Sequence, residues 1–281
     1  MSILAATSAT ATADKLVPVL ETRSLTRLFG PLTAVDSLEI SVEPGEVFGL
    51  VGPNGAGKTT VIKMLTTLLP PTSGNASVAG YDIVHQSGQV RRVIGYVPQL
   101  VSADGSLTGY ENLLIFAKLY DIPRSEREQR IHAALDFMGL EQVGDKLVRN
   151  YSGGMIRRLE VAQAMLHRPR VLFLDEPTVG LDPVARKAVW EHIQRLRTEY
   201  GTTIFLTTHY MEEADGLCSR VAIMHLGKVV AIGTPQELKA SVGDGDATLD
   251  DVFAHYTGYE IETGSTYRET SRTRRAARRL A

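Results

Sequence analysis

Eight consecutive residues, Gly52-Pro53-Asn54-Gly55-Ala56-Gly57-Lys58-Thr59, fit the pattern GxxxxGK[ST]. The glycines leave backbone N–H groups uncovered, so phosphate oxygens can approach them closely. A helical pattern follows, and a helix N-terminus points partial positive charge at an anion. Lys58 adds a full charge for the β- and γ-phosphates. The hydroxyl of Thr59, with Thr60 beside it, suits Mg²⁺. Further on, Val171-Leu172-Phe173-Leu174 is a wholly apolar run that ends in Asp175-Glu176. Carboxylates at the end of a buried strand are costly unless they meet a cation or a donor. Asp175 can hold Mg²⁺ through water, and Glu176 can polarise a water that attacks a γ-phosphate.

Tyr151-Ser152-Gly153-Gly154-Met155 precedes another helical pattern, through Leu159, Ala162 and Leu166. Serine and two glycines at a helix start form a second anion nest. One chain does not need two γ-phosphate sites for one nucleotide. This arrangement resembles the signature sequence of ABC transporter ATPases, usually Leu-Ser-Gly-Gly-Gln. The family's other marks occur in the family's order. Phe29, in Leu28-Phe29-Gly30, matches the aromatic that stacks on adenine. Gln99, after Tyr96-Val97-Pro98, matches the Q-loop; Gly180-Leu181-Asp182 matches the D-loop; His209, after Thr207-Thr208, matches the switch histidine. The resemblance covers residues 17 to about 240.

It implies ATP and Mg²⁺ as cofactors, with Thr59, Gln99 and, through water, Asp175 at the metal. It implies Lys58, Glu176 and His209 as the catalytic set. In this family two ATPase domains pack head to tail, each ATP lying between the P-loop of one and the signature of the other. Residues 52–60 would then cradle a chain's own ATP, while Ser152, Gly153, Gly154 and Asp182 would meet the partner's. That accounts for two anion nests. The chain departs from the family pattern at Tyr151 and Met155 in the signature, at Phe29 where tyrosine is commoner, and before Leu181, where serine and alanine are usual.

Within the family, Ser106 to Leu113, Gly153 to Leu159 and His209 to Asp215 look like the daunorubicin-type resistance exporters among the type-2 ABC exporters. So does Leu249-Asp250-Asp251-Val252-Phe253 with Thr257-Gly258. The resemblance implies a separate membrane permease, a second ATPase subunit forming a homodimer, a place at the cytoplasmic membrane face, and export of a hydrophobic, antibiotic-like compound. The alternative is a soluble ABC-type ATPase with no transport role. Lys58 and Ser152 are too close in sequence for the long coiled coil of chromosome-maintenance relatives, and no Asn-Lys-x-Asp base-reading motif occurs.

These residues need a scaffold. Val17 to Leu25 and Leu38 to Val42 alternate like half-buried strands, and Glu46 to Val51 reads as a buried strand entering the glycine loop. Val61, Ile62, Leu65, Leu68 and Leu69 predict a helix stopped at Pro70-Pro71. Residues 107–167 read as mostly helical, with Ser125 and Glu128 as a capping box. Asp182-Pro183 predicts a capped helix buried through Val189, Ile193 and Leu196 and ended by Gly201. Thr203 to Thr207 is a strand, Arg220 to Met224 and Lys228 to Ile232 a hairpin, and Thr234 to Glu237 opens a last short helix.

Strands alternating with helices predict an α/β fold. The resemblance makes it a P-loop core whose mixed sheet has RecA-like parallel strands, with an antiparallel part and a helical subdomain near residues 100–167. Residues 1–16 read as a disordered arm, 17–240 as the nucleotide-binding domain and 241–281 as an extension with a basic tail.

The 281 residues, 43% hydrophobic and 22% charged, are ordinary globular values. The single cysteine, Cys218, excludes an internal disulfide framework and reads as a buried small hydrophobe. The net charge of −2 argues against a nucleic-acid partner, although Arg268, Arg272, Arg274, Arg275, Arg278 and Arg279 crowd the tail. No apolar run approaches the roughly 18–20 residues that span a bilayer.

Overall fold

The computed structural model describes residues 17–243 and 246–258; the expected arm at 1–16 and the arginine-rich tail lie outside the described residues. Strands β1 (Leu20–Phe29), β2 (Leu32–Leu38), β3 (Ser41–Val42) and β4 (Val47–Val51) lead into helix α1 (Lys58–Leu65). Strands β5 (Ser73–Val78) and β6 (Tyr81–Asp82) follow, then α2 (Ser87–Val93) and β7 (Ile94–Val97). A helical stretch comes next: α3 (Gly109–Leu119), α4 (Arg124–Phe137) and α5 (Gly153–Met165). The chain continues through β8 (Val171–Asp175), α6 (Pro183–Tyr200), β9 (Thr203–Thr208), α7 (Met211–Leu217), β10 (Arg220–His225), β11 (Lys228–Gly233), α8 (Pro235–Ala240) and α9 (Leu249–Thr257).

The central sheet has the order β11-β10-β4-β9-β8-β7, parallel throughout except for the β10–β11 hairpin. Parallel neighbours need crossovers, which the helices supply. A second, antiparallel sheet joins β1 to β2, β3 and β5, and β5 to β6. Successive side chains of a strand face opposite ways, so β4, β8 and β9 serve two cores. Phe48, Leu50, Phe173 and Phe205 face α1 and the antiparallel layer, and the rings of Phe48 and Phe205 stack at 5.5 Å. Val47, Val51, Leu172, Leu174, Ile204 and Leu206 face the helical layer. Cys218 is buried and forms no disulfide, as expected of a small hydrophobe.

The mixed α/β architecture and the run from buried strand through glycine loop to helix agree with the sequence. Asp182 caps α6 by accepting from the N–H groups of Val184 and Ala185, and Gly201 ends that helix at φ 64°. Four local expectations need correction. Helix α1 stops at Leu65, because Thr67 turns left-handed at φ 64°; Leu68 and Leu69 lie beyond it, and Leu68 is exposed. Helix α4 starts at Arg124 directly after Pro123, so Ser125 sits inside its first turn and caps nothing. The strand expected over Leu38 to Val42 is instead the end of β2 and the short β3, with Glu39 and Ile40 outside both, and β2 itself hides because its pairing with β1 is broken by register shifts. Helix α8 is not the last: α9 follows, capped by Thr248 and Asp251, and buries Leu249, Val252 and Phe253 in the helical-side core.

Candidate functional site

Strand β4 delivers the chain into the glycine loop at the edge where the parallel strands end. The loop lies so close to its neighbours that only glycine fits at two points. A Cβ on Gly52 would collide with the carbonyl oxygen of Met224 in β10, and one on Gly57, at φ 109°, with that of Ala34 in β2. Gly55, at φ 81°, has open space beside it. Ala56 closes the loop: its N–H donates to the Pro53 carbonyl at 3.2 Å, and its carbonyl accepts from Gly227 N–H at 3.0 Å. Lys58 curls back over the loop. Its Nζ donates to the carbonyls of Gly52 at 2.7 Å and Pro53 at 3.0 Å, and lies 3.3 Å from Glu176 Oε1. Burial lowers the Lys58 pKa, and the charges of Glu176 and Asp175 oppose that shift.

Strand β8 ends at Asp175, and Glu176 turns left-handed at φ 48°. That conformation costs a non-glycine residue on the order of 1–3 kcal/mol and persists only where neighbours hold it. Here β9 holds it. The Glu176 N–H donates to both the carbonyl and the hydroxyl of Thr207, at 3.1 and 3.0 Å. The same hydroxyl donates to Asp175 Oδ1 at 2.6 Å, and Thr59 Oγ1 reaches that oxygen at 3.3 Å. Gln99 Nε2 donates to Glu176 Oε2 at 3.0 Å, and His209 Nδ1 lies 3.3 Å from that oxygen, out of line for a hydrogen bond. Burial works to raise the Glu176 pKa, but His209 and Lys58 outweigh it and hold the carboxyl below its ordinary value.

The side chains meet at a cleft of about 650 Å³ lined by Phe29, Asn54, Gly55, Gly57, Lys58, Thr59, Thr60, Gln99 and Glu176. Phe29 is 43% exposed, and the Arg27 guanidinium sits over its ring at 4.7 Å. Ser152, Gly153 and Gly154 do not line this cleft. They begin α5, where Ser152 Oγ accepts from Met155 N–H at 3.3 Å. Asp182 is also outside the cleft, its carboxylate spent on capping α6. The two helix starts adjoin: a Cβ on Gly154 would come within 2.9 Å of the Ala185 Cβ. A separate apolar cavity of about 210 Å³ between α4, α5 and α6 holds none of these groups.

Sequence reasoning missed Thr33, Ala34, Leu226 and Gly227 on the cleft wall, and Thr207 behind it. Thr207 stands opposite Asp175 in the β8–β9 register. Two apolar runs of similar length, each ending in polar residues, carry that signal only once they are known to be neighbours.

A family profile described as ABC transporter matches residues 35–179. The chain is 44% identical over 224 residues to the daunorubicin/doxorubicin resistance ATP-binding protein of Streptomyces peucetius, covering 80% of this chain and 68% of that protein. A solved structure of the ATP-binding subunit of an ABC transporter superposes with a TM-score of 0.76 at 30% identity, covering 85% of this chain and 99% of that one. A Clostridium perfringens subunit described as part of the ABC transporter complex cbiONQ gives 0.72 at 29% identity, covering 79% and 91%.

Thr207→Val keeps the shape of β9 and removes the hydroxyl that joins Asp175 to the Glu176 N–H. Turnover of ATP is expected to fall about 10-fold, as a small misplacement of reacting groups costs, while ATP affinity stays within a few-fold. A phosphate-release assay beside a nucleotide titration reads both. Unchanged turnover would show that the hydroxyl does not hold the acid pair.

Proposed function

The chain belongs to the ABC transporter ATP-binding family, and on that premise we propose that two copies of it close head to tail on ATP and drive a separate membrane permease. It is the ATP-hydrolysing subunit of such a transporter. The observation that carries the reading is the buried, ionised Glu176 facing Lys58, Gln99 and His209 across a glycine loop, while a second serine-glycine helix start lies outside the same cleft.

In this reading the adenine stacks on Phe29, which offers an exposed ring face already backed by Arg27. The N–H groups of residues 52–60 and the Lys58 ammonium take the phosphates. Lys58 must exchange its two loop carbonyls for phosphate oxygens, a trade of neutral acceptors for charged ones. Among the described residues no three acidic, histidine or cysteine side chains converge as a metal cage. The hydroxyl of Thr59, the carboxylate of Asp175 and the amide of Gln99 fit Mg²⁺ instead, which keeps waters and substrate phosphates in its shell. Bound there, the ion would neutralise charge on the β- and γ-oxygens. Glu176, kept ionised, orients the attacking water and accepts its proton, and His209 stands beside it as the partner for the γ-phosphate. Ser152, Gly153, Gly154 and Asp182 of one copy complete the ATP site of the other. In this reading residues 17–240 form the nucleotide-binding domain, with a helical subdomain at about 100–167.

Among the described residues no helix is long and apolar enough to cross a membrane. Docking onto a permease at the cytoplasmic face therefore needs an exposed apolar surface. A groove of about 310 Å³ between Leu68, Ile94, Tyr96, Phe116, Leu119 and Tyr120 provides one. The permease's coupling helix fits there, on the surface that Tyr96 of β7 shares three residues before Gln99. The resistance proteins it resembles support a hydrophobic, antibiotic-like cargo moved outward.

Two measurements test this. Lys58→Ala is expected to abolish Mg-ATP hydrolysis while the circular dichroism stays native; wild-type rates would remove the loop from phosphate binding. Leu119→Asp is expected to reduce recovery with the membrane fraction when the chain is co-expressed with a candidate multi-span permease. Equal recovery would take the docking surface away from this groove, and no membrane association of the wild type would favour an ATPase without a permease.

A further inference from the structure

Helix α5 starts at the signature serine, yet its second turn reaches the chain's own cleft. Arg157 and Glu160 lie three residues apart and so share one helix face. They pair at 3.0 Å with both side chains buried. Their other hydrogen bonds leave the helix. Arg157 Nη1 donates to the Pro98 carbonyl at 2.8 Å, and Nη2 to the Gln99 carbonyl at 3.1 Å. Glu160 Oε1 accepts from both the N–H and the hydroxyl of Ser102. The pair thus grips the backbone on both sides of Gln99, whose side chain holds Glu176. Strand β7, just upstream, lies against the same helix: a Cβ on Gly95 would collide with the Ala164 carbonyl oxygen.

The ion pair by itself is weak evidence of a stabilising role. Apolar residues of similar volume often replace a buried ion pair at no loss of stability. They would fill the space but leave the Pro98 and Gln99 carbonyls and the Ser102 N–H without their partners. We propose that Arg157 and Glu160 are positioning residues that lock residues 98–102 to the signature helix, so that Gln99 reaches Glu176 only when α5 is seated. This rests on the head-to-tail reading and adds a consequence. The ATP that one chain holds with Lys58 and the ATP it completes with Ser152 are joined through α5 as a rigid link. Seating the signature on the partner's ATP then sets the geometry of the chain's own hydrolysis.

The test uses the purified full chain and Mg-ATP, with turnover measured against ATP concentration beside equilibrium ATP binding and a thermal melt. Wild type is measured first. It is expected to turn over with a Hill coefficient above about 1. A wild type without turnover overturns the proposed function, and this inference with it; turnover with no cooperativity overturns the link between sites alone. The double variant Arg157→Met with Glu160→Met is expected to fold, to melt somewhat below wild type because three backbone groups lose their partners, and to bind ATP within a few-fold. Its turnover should fall about 10- to 100-fold, and its Hill coefficient should drop toward about 1. A folded variant with wild-type turnover would overturn the proposal, as would weaker ATP binding with kcat unchanged. If the double variant does not fold, Arg157→Lys decides. It keeps the charge but loses the fork across two carbonyls, and it is expected to lower kcat without changing ATP affinity; unchanged kcat overturns the proposal.

Discussion

The structure buries an ionised carboxylate, Glu176, at the end of an apolar strand, and the arrangement around it follows from that cost. A carboxylate removed from water needs a cation and hydrogen-bond donors within reach. The chain recruits them from separate stretches of sequence: Lys58 from α1, Gln99 after β7, Thr207 at the end of β9 and His209 beyond it. They meet because β4, β9 and β8 are adjacent parallel strands whose ends share one edge. Ligand sites of open α/β sheets form at such an edge. Replacing the buried Lys58–Glu176 pair by apolar side chains need not cost stability, so its presence is better explained by chemistry than by folding.

The same constraint explains the strain at Glu176. Its left-handed backbone would relax if β9 did not hold the N–H through both oxygens of Thr207. One hydroxyl therefore ties the geometry of Asp175, which suits a metal, to that of Glu176, which suits a water. The second helix start, at Ser152, has no place in this cleft. The proposed pairing of two copies gives it one, and the buried Arg157–Glu160 pair gives it a mechanical route back to Gln99.

Much of this was legible in the sequence because it is local. The glycine loop, the apolar strand ending in two acids and the Asp182 cap each lie within a few consecutive residues. The order of the short motifs identified the family, and with it the mixed sheet. What was not legible depends on contacts between distant segments. Strand β2 hides because bulges in its pairing with β1 break the alternation. The end of α1 is set by one left-handed threonine, Thr67, in an otherwise helical apolar run. Thr207 looks like any strand threonine until the β8–β9 register places it opposite Asp175. Arg157 and Glu160 look like solvated helix charges until residues 98–102 are folded over them.

The central claim is that ATP is held between two copies of this chain and released by the work of Glu176. The most direct measurement is sedimentation of Glu176→Gln with Mg-ATP, alongside wild type. The substitution keeps size and hydrogen-bonding capacity but removes the charge that serves as general base, a loss typically worth about 10²- to 10⁴-fold in rate. ATP should then persist, and the variant should sediment as a dimer with ATP and as a monomer without it, while wild type dimerises only briefly. A variant that binds ATP yet stays monomeric at every protein concentration would contradict the account.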